Sequence, residues 1–391
     1  MFLPGVPSLI PKLVIITEII APYRIPVFNA LALRREIDLR VIFLSENDPT
    51  LRQWQVYKDE IRFQYEVLPS WRRRIGRYNV LINRRVLSAL NKIKPTAVLC
   101  GGYNYLASWE AAYWTKLRRV PLLLWSESTA LDVRASRLPV EFMKRGFLRL
   151  CEAFVVAGKS SLSYLKGLGI TEERIFTAPN AVDTPLFAAL AEQARRDERG
   201  VRARCALPLR YFLYVGRLVR AKGVFDLLDS YAQLGAEIRA EVGLVFVGDG
   251  ADRSNLMERA SRIVPGTIQF AGFVDRDGLP DFYALADALI FPTRSDPWGL
   301  VVNEAMSCGL PVVATSVAGC VPDLVQDGWN GYVVAPGDTS QLAVSMSRLA
   351  SDSRLQMEMG SRSRERIEAN SPKAWAEGVV KAMGSLCGGM Q

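Results

Sequence analysis

Residues 210–223 read RYFLYVGRLVRAKG and residues 287–315 read DALIFPTRSDPWGLVVNEAMSCGLPVVAT. In both, a short β-rich apolar run ends in a turn carrying Gly or Pro with charged side chains, and a helical pattern follows. Strand, turn, helix and strand in that order predict crossover units of a parallel sheet. Charged residues of such turns lie at the carboxyl ends of strands, where open parallel sheets bind ligands.

The same alternation extends in both directions. Further strands are predicted at Val242–Val247, Thr267–Ala271 and Asn330–Val334. In the first half they fall at Lys12–Thr17, Asp38–Leu44, Ile61–Leu68, Thr96–Cys100, Pro121–Trp125, Glu152–Ala157 and Arg174–Thr177. Helical patterns between them include Arg24–Leu33, Val80–Ile93, Tyr105–Leu117 and Val140–Leu150. Residues 188–208, AALAEQARRDERGVRARCALP, are charged and Ala-rich without a clear apolar stripe and read as a linker region that could hold a solvated helix. The expectation is α/β: two Rossmann-like, doubly wound domains, residues 1–187 and 209–370, facing across a cleft. A last helix within 371–391 packs back toward the first domain.

Two domains also suit the length, since 391 residues exceed what one core usually fills. The opening MFLPGVPSLIPKLVIIT resembles neither a signal peptide nor a membrane span, and no later run is long and apolar enough to cross a bilayer. A cytoplasmic chain, peripheral at most on the inner face of the membrane, is the expectation. The six cysteines are scattered and read as reduced thiols. Histidine is absent, which removes Ser-His-Asp and Cys-His catalysis and His-based zinc sites. The net charge of +9 is uneven: residues 1–180 hold 27 Lys and Arg against 15 Asp and Glu. That basic excess could meet an anionic membrane or stay solvated, and the cluster Arg72, Arg73, Arg74 and Arg77 beside Trp71 and Tyr78, read as a loop, is the first choice for membrane contact.

Three turns carry candidate chemistry. Gly216-Arg217-Leu218 followed by Lys222-Gly223 brings two cations to a strand's carboxyl end and a helix start, where a diphosphate could bind; solvated turn cations are the plain alternative. Asp296 and Glu304 bracket Gly299 and Leu300, whose backbone amides could receive anionic oxygens, while Glu304 could take two ribose hydroxyls. The side chains of Leu300 and Val301 read as core. Gly248-Asp249-Gly250 is a weaker third turn, without the spacing of a dinucleotide fingerprint. Asp275-Arg276-Asp277 could hold a cation but reads better as a turn and helix start. On the first domain, Tyr23 and Arg24 follow one strand and Ser126 and Glu127 another, which puts them on the cleft side.

The strings GKSSLSYLKGLGI, APNAVDTPLF, YVGRLVRAKGVFDLL, VGDG, FAGFV, the run to Thr315, AGCVPDLV and GWNGYVV, in this order, resemble glycosyltransferase family 4, retaining enzymes of GT-B architecture. The resemblance implies transfer of a sugar from a nucleotide diphosphate sugar to an acceptor hydroxyl, without a metal or other cofactor. It places the diphosphate on Arg217 and Lys222, the transferred sugar on Asp296, the ribose on Glu304 and the base on the backbone at Phe273 and Val274. Gly216, Gly248, Trp298, Gly299, Leu300 and Val301 complete the donor set, and Tyr23, Arg24, Ser126 and Glu127 fall on the acceptor side. A glycan or lipid-linked acceptor, as in surface polysaccharide or glycolipid assembly, and an anionic membrane surface are the implied partners, with no nucleic acid. Asp296 stands where Glu is usual, and Ala21-Pro22 where Gly-Gly is usual. A sugar-nucleotide epimerase of the same architecture, or a non-catalytic sugar-nucleotide-binding subunit, is the alternative.

Overall fold

The computed structural model describes residues 10–48, 55–75, 78–130 and 138–387. Its strands are β1 (Lys12–Thr17), β2 (Asp38–Phe43), β3 (Gln64–Val67), β4 (Ser70–Ile75), β5 (Tyr78–Asn83), β6 (Ala97–Cys100), β7 (Leu122–Ser126), β8 (Ala153–Val156) and β9 (Ile175–Thr177). They continue with β10 (Arg210–Val215), β11 (Val242–Val247), β12 (Ile268–Gly272), β13 (Ala288–Phe291), β14 (Val312–Thr315) and β15 (Gly331–Val334).

Two parallel sheets result, ordered β3-β2-β1-β6-β7-β8-β9 and β12-β11-β10-β13-β14-β15. Both are doubly wound, because the order runs outward from a central strand in one direction and then in the other. Each strand feeds two cores by alternation. Tyr211, Leu213 and Val215 of β10 pack on one face of their sheet, and Phe212 and Tyr214 on the other. In β1, Leu13 and Ile15 oppose Val14 and Ile16 in the same way. Burial on both faces explains why these strands read as continuous apolar runs.

Two readings of the sequence need correction. Residues 70–83 form an antiparallel hairpin, with Trp71 opposite Ile82 and Arg73 opposite Val80; the expected helix begins only at Val86. The apolar run Val80-Leu81-Ile82 is a strand by its alternation, since Leu81 is buried and Ile82 exposed. Arg72 points inward to Asp48 and Glu18. It is therefore lost to any membrane patch, whereas Trp71 and Arg73 remain exposed. Arg77 and the side chains of Arg74 and Tyr78 lie outside the described residues. The charged stretch 188–208 lies largely within two helices, Thr184–Arg196 and Glu198–Cys205, which are packed and not solvated. Phe187, Ala191, Ala194 and Val201 form their apolar face and join the second domain's core; alanine made that stripe hard to see.

The closing helix, Pro372–Cys387, lies on the first domain. Trp375 is fully buried there, 5.1 Å from the Trp125 ring and 5.7 Å from Phe28.

Contacts between the domains lie on both sides of the cleft. At the β8/β14 side, the Lys159 amide donates to Asp323 and the Ser160 hydroxyl to the Gly319 carbonyl. Deeper in, Asn303 donates to the Asn180 carbonyl at 2.9 Å and accepts from the Trp298 indole at 2.8 Å. At the opposite, β3/β12 side, Arg276 donates to both carboxylate oxygens of Glu60, at 2.5 and 2.7 Å, and stacks 3.9 Å over the Tyr57 ring. A bidentate, stacked arginine has geometry that lysine cannot reproduce.

Reversing one charge of this clasp should part the domains on that side. Arg276→Glu is expected to increase the radius of gyration in solution scattering, and Glu60→Arg in the same chain to restore it. The two positions should couple by up to about 3 kcal/mol in a denaturation double-mutant cycle. Additive effects would show that the clasp holds nothing together.

Candidate functional site

Each doubly wound sheet has a point where strand order reverses, and the loops leaving the two central strands diverge there to leave a crevice. In the second domain that point lies between β10 and β13. The turn after β10 carries Gly216, Arg217 and Lys222; the turn after β13 carries Asp296, Trp298 and Gly299. Lys222 donates to Asp296 at 2.5 Å and to the Ser295 carbonyl at 3.0 Å, which ties the two turns across the crevice. The second Asp296 oxygen accepts from the Trp298 amide at 3.1 Å. Arg217 differs: it is exposed, and its guanidinium has no hydrogen bond or ion pair among the described residues. One cation is thus anchored by an acid, and the other stands open at the crevice.

The turns approach so closely that side chains are excluded. A Cβ on Gly248 would lie 2.0 Å from the Gly216 carbonyl oxygen. Gly299 adopts φ +100, where a Cβ would also meet the Phe291 ring at 2.6 Å. Gly299 caps the helix Leu300–Ser307; its carbonyl accepts from the Val302 amide at 3.0 Å, while the Leu300 and Val301 amides have no intrahelical acceptor and point along the helix axis toward the crevice.

Glu304 lies one turn into that helix, half-buried, and accepts from the Tyr283 hydroxyl at 2.7 Å. Burial pushes its carboxyl up to about 7, against the opposing effect of that hydrogen bond. No cation pairs with it among the described residues, so an ionised Glu304 has spare acceptor capacity.

The remaining donor-side candidates divide. Phe273 is exposed just beyond β12, while Val274 packs on the core. Leu300 and Val301 are half-buried against the same core, which leaves their backbone for any ligand. Trp298 is 4% exposed, its indole N–H is taken by Asn303, and a Cβ on Gly158 of the first domain would come within 2.8 Å of its ring. Its side chain therefore packs at the domain seam and does not line the crevice. In the D-R-D string, the Asp275 carbonyl accepts from the Gly278 and Leu279 amides, a turn into the helix Leu279–Ala284, and Arg276 forms the clasp.

The first domain's reversal point lies between β1 and β6. Arg24, beyond β1, faces Gly101 and Gly102 after β6, and Ser126 and Glu127 after β7, around a cavity of about 140 Å³ that Pro297 of the second domain also lines. Arg24 pairs with Glu127 at 3.7 Å, donates to the Thr17 hydroxyl and stacks 4.5 Å over Trp125. Tyr23 lines a smaller adjoining cavity that reaches Leu300 and Trp375. The two reversal points thus face each other. Gly101, Gly102 and Pro297 were missed in the sequence, although a Gly-Gly directly after a strand beside β1 was the available signal. Tyr283 and Glu60 offered none, being brought in by packing alone.

Residues 206–366 match the family model described as Glycosyl transferases group 1. The chain is similar to N-acetyl-alpha-D-glucosaminyl L-malate synthase of Bacillus anthracis, 29% identical over 156 residues, 40% of each chain. It is also similar to alpha-D-kanosaminyltransferase of Streptomyces kanamyceticus, 32% identical over 201 residues, 51% of this chain and 49% of that protein. The chain therefore spans less than half the length of these relatives. The fold is shared along nearly the whole length with Anabaena Alr3699/HepE, solved in complex with UDP and glucose: TM-score 0.74 at 19% identity, covering 96% of this chain and 100% of that one. The two parallel sheets thus share the GT-B architecture.

The Glu304 carboxyl gives a pH signature. Hydroxyl donors seated on it favour the carboxylate, so their binding lowers its pKa and, near or below pH 7, expels a proton. Affinity for a nucleoside diphosphate should be flat above about pH 7 and fall up to tenfold per unit below it. Calorimetry in buffers of different ionisation enthalpy checks the proton release, and Glu304→Gln should abolish it.

Proposed function

We propose that the protein is a retaining glycosyltransferase that moves a sugar from a nucleotide diphosphate sugar to an acceptor hydroxyl. The observation that carries this reading is the open Arg217 beside the Lys222–Asp296 pair, at the reversal point of the segment that matches the group 1 glycosyltransferase model. UDP bound to HepE, which shares the fold, supports a nucleoside diphosphate as the leaving group.

Arg217 and Lys222 receive the diphosphate, with the Gly299–Val301 amides as further donors. Asp296, held by Lys222, meets hydroxyls of the transferred sugar, and Glu304 takes the ribose. The bond from the anomeric carbon to the phosphate oxygen breaks as the bond to the acceptor oxygen forms on the same face. The acceptor proton passes to the departing phosphate oxygen, so no histidine is required. Two cations at the place where negative charge develops, Lys222 held by Asp296 and Arg217 free to close on the ligand, replace the stabilisation that a metal could otherwise supply.

The acceptor lies on the first domain, around Arg24, Ser126 and Glu127. A glycan or lipid-linked acceptor at an anionic membrane fits the basic excess of that domain. No helix among the described residues is long and apolar enough to cross a membrane, so contact would be through exposed groups such as Trp71 and Arg73. Binding to anionic vesicles that fades with salt and drops in Trp71→Ser/Arg73→Ser would support this; equal partitioning onto neutral vesicles would remove it.

Arg217→Ala is the cleaner catalytic test, because an exposed, unpaired side chain can be removed without harm to the fold. Loss of one charge-assisted donor at a developing anion is expected to slow donor turnover by on the order of a hundredfold, about 3 kcal/mol, with the thermal midpoint unchanged. Wild-type turnover in that variant would contradict the donor-site assignment.

A further inference from the structure

The cavity at the first domain's reversal point has a chemistry at odds with the domain's charge. The surrounding half of the chain is strongly basic, yet Arg24 is the cation among the residues lining this cavity, and its charge is already met. Glu127 stands 3.7 Å from it inside the same wall, Thr17 accepts one of its N–H groups, and Trp125 covers its face. A phosphate entering here would meet the Glu127 carboxylate with no surplus cation among the described lining residues to offset it, and like charges brought together in a partly desolvated site are strongly repelled.

The other polar groups at the wall are neutral. Asn104 supplies an amide that both donates and accepts, and Ser126 and Ser128 supply hydroxyls that do the same. Arg24 keeps a buried Nε–H with no partner, and Glu127 keeps acceptor capacity beyond its ion pair. Donors and acceptors are thus interleaved around a space of about 140 Å³, far more than the roughly 10–15 Å³ that one water needs. The adjoining cavity below Tyr23, about 10 Å³, holds no more than a water. Pro297 closes the larger cavity on the second-domain side, directly after Asp296, so whatever sits there lies beside the proposed transfer point.

We propose that this cavity binds the acceptor through an uncharged, polyhydroxylated ring, a neutral sugar or cyclitol unit, with Glu127 accepting from its hydroxyls and Arg24 and Asn104 donating to them. This rests on the glycosyltransferase reading for the word acceptor, but not for the binding itself. Any phosphate or acidic group the acceptor carries stays outside the cavity, where the basic surface of the first domain is available to it. The Arg24–Glu127 pair serves as a selectivity device: the acid screens the one cation among the described residues that line the cavity.

Saturation-transfer NMR on the full chain, without donor, tests this with a panel of neutral methyl glycosides and inositol, and with glucose 6-phosphate as competitor. At least one neutral compound is expected to give a signal that glucose 6-phosphate displaces no better than glucose does. Ser128→Leu should fill the cavity and remove the signal while circular dichroism stays native. Glu127→Gln should leave Arg24 unscreened and improve displacement by the sugar phosphate about tenfold or more over its wild-type value. The proposal is overturned by silence across the neutral panel, by a sugar phosphate that outcompetes glucose in the wild type, or by a signal that survives Ser128→Leu. Slow donor hydrolysis, measured in parallel, reports on the glycosyltransferase reading separately: its absence alongside glycoside binding would fail that reading and leave the cavity assignment standing.

Discussion

Everything chemical in this molecule depends on where parallel strands end. A parallel sheet places all its carboxyl ends on one edge, and reversal of strand order opens a crevice there that no hydrogen bonding between strands can close. The chain contains two such edges, and the fold sets them face to face: β10 and β13 on one side, β1 and β6 on the other. Arg217, Lys222, Asp296 and Gly299 come together for that reason, and Arg24, Gly101 and Ser126 gather opposite them for the same reason. The close passage of Gly216 and Gly248 is a local consequence, since turns that converge on a crevice leave no room for side chains.

Within the cleft, charge is largely balanced before any ligand arrives. Lys222 is matched by Asp296 and Arg24 by Glu127, so each pair fixes its members in place without presenting a full charge. Arg217 stands open, and Glu304 is a half-buried acid whose carboxyl burial pushes up to about 7. A ligand carrying both an anionic group and hydroxyls can satisfy both at once. Preorganised pairs of this kind avoid the reorganisation that free, solvated side chains would have to undergo as charge develops.

The seam between the domains is built from different materials on its two sides. Around Trp298, Asn303 and Asn180 it is buried, with Asn303 hydrogen-bonded to both neighbours, close to where the chain crosses between domains, and the helix carrying Trp375 reinforces it by joining the first domain's core. The Arg276–Glu60 clasp on the far side is polar and reachable by water, with Glu60 about one third exposed. Motion between the domains would therefore be expected to begin at the clasp, because a solvated ion pair separates at far lower cost than a packed tryptophan.

The sequence by itself determined the strands and the loops that carry the chemistry. Continuous apolar runs such as YFLYV and VGLVFV mark strands buried on both faces, and a charged residue directly after such a run must sit at a carboxyl end whatever the rest of the fold does. That local logic marked the turns holding Arg217, Lys222 and Asp296 as candidates, and Glu304 was read from its place about one turn into the next helix. It failed where alternation was masked: in the hairpin of residues 70–83, where Arg72 points inward because Asp48 and Glu18 await it, and in the helices after residue 183, whose buried face is largely alanine. Only the tertiary structure decided which side chains meet across the cleft. Trp298 turns into the seam, Tyr283 reaches Glu304, Pro297 closes a cavity of the other domain, and Arg276 finds Glu60 more than two hundred residues away. Such pairings have no periodicity or spacing to read, since they arise from how two rigid sheets pack and not from any local preference of the chain.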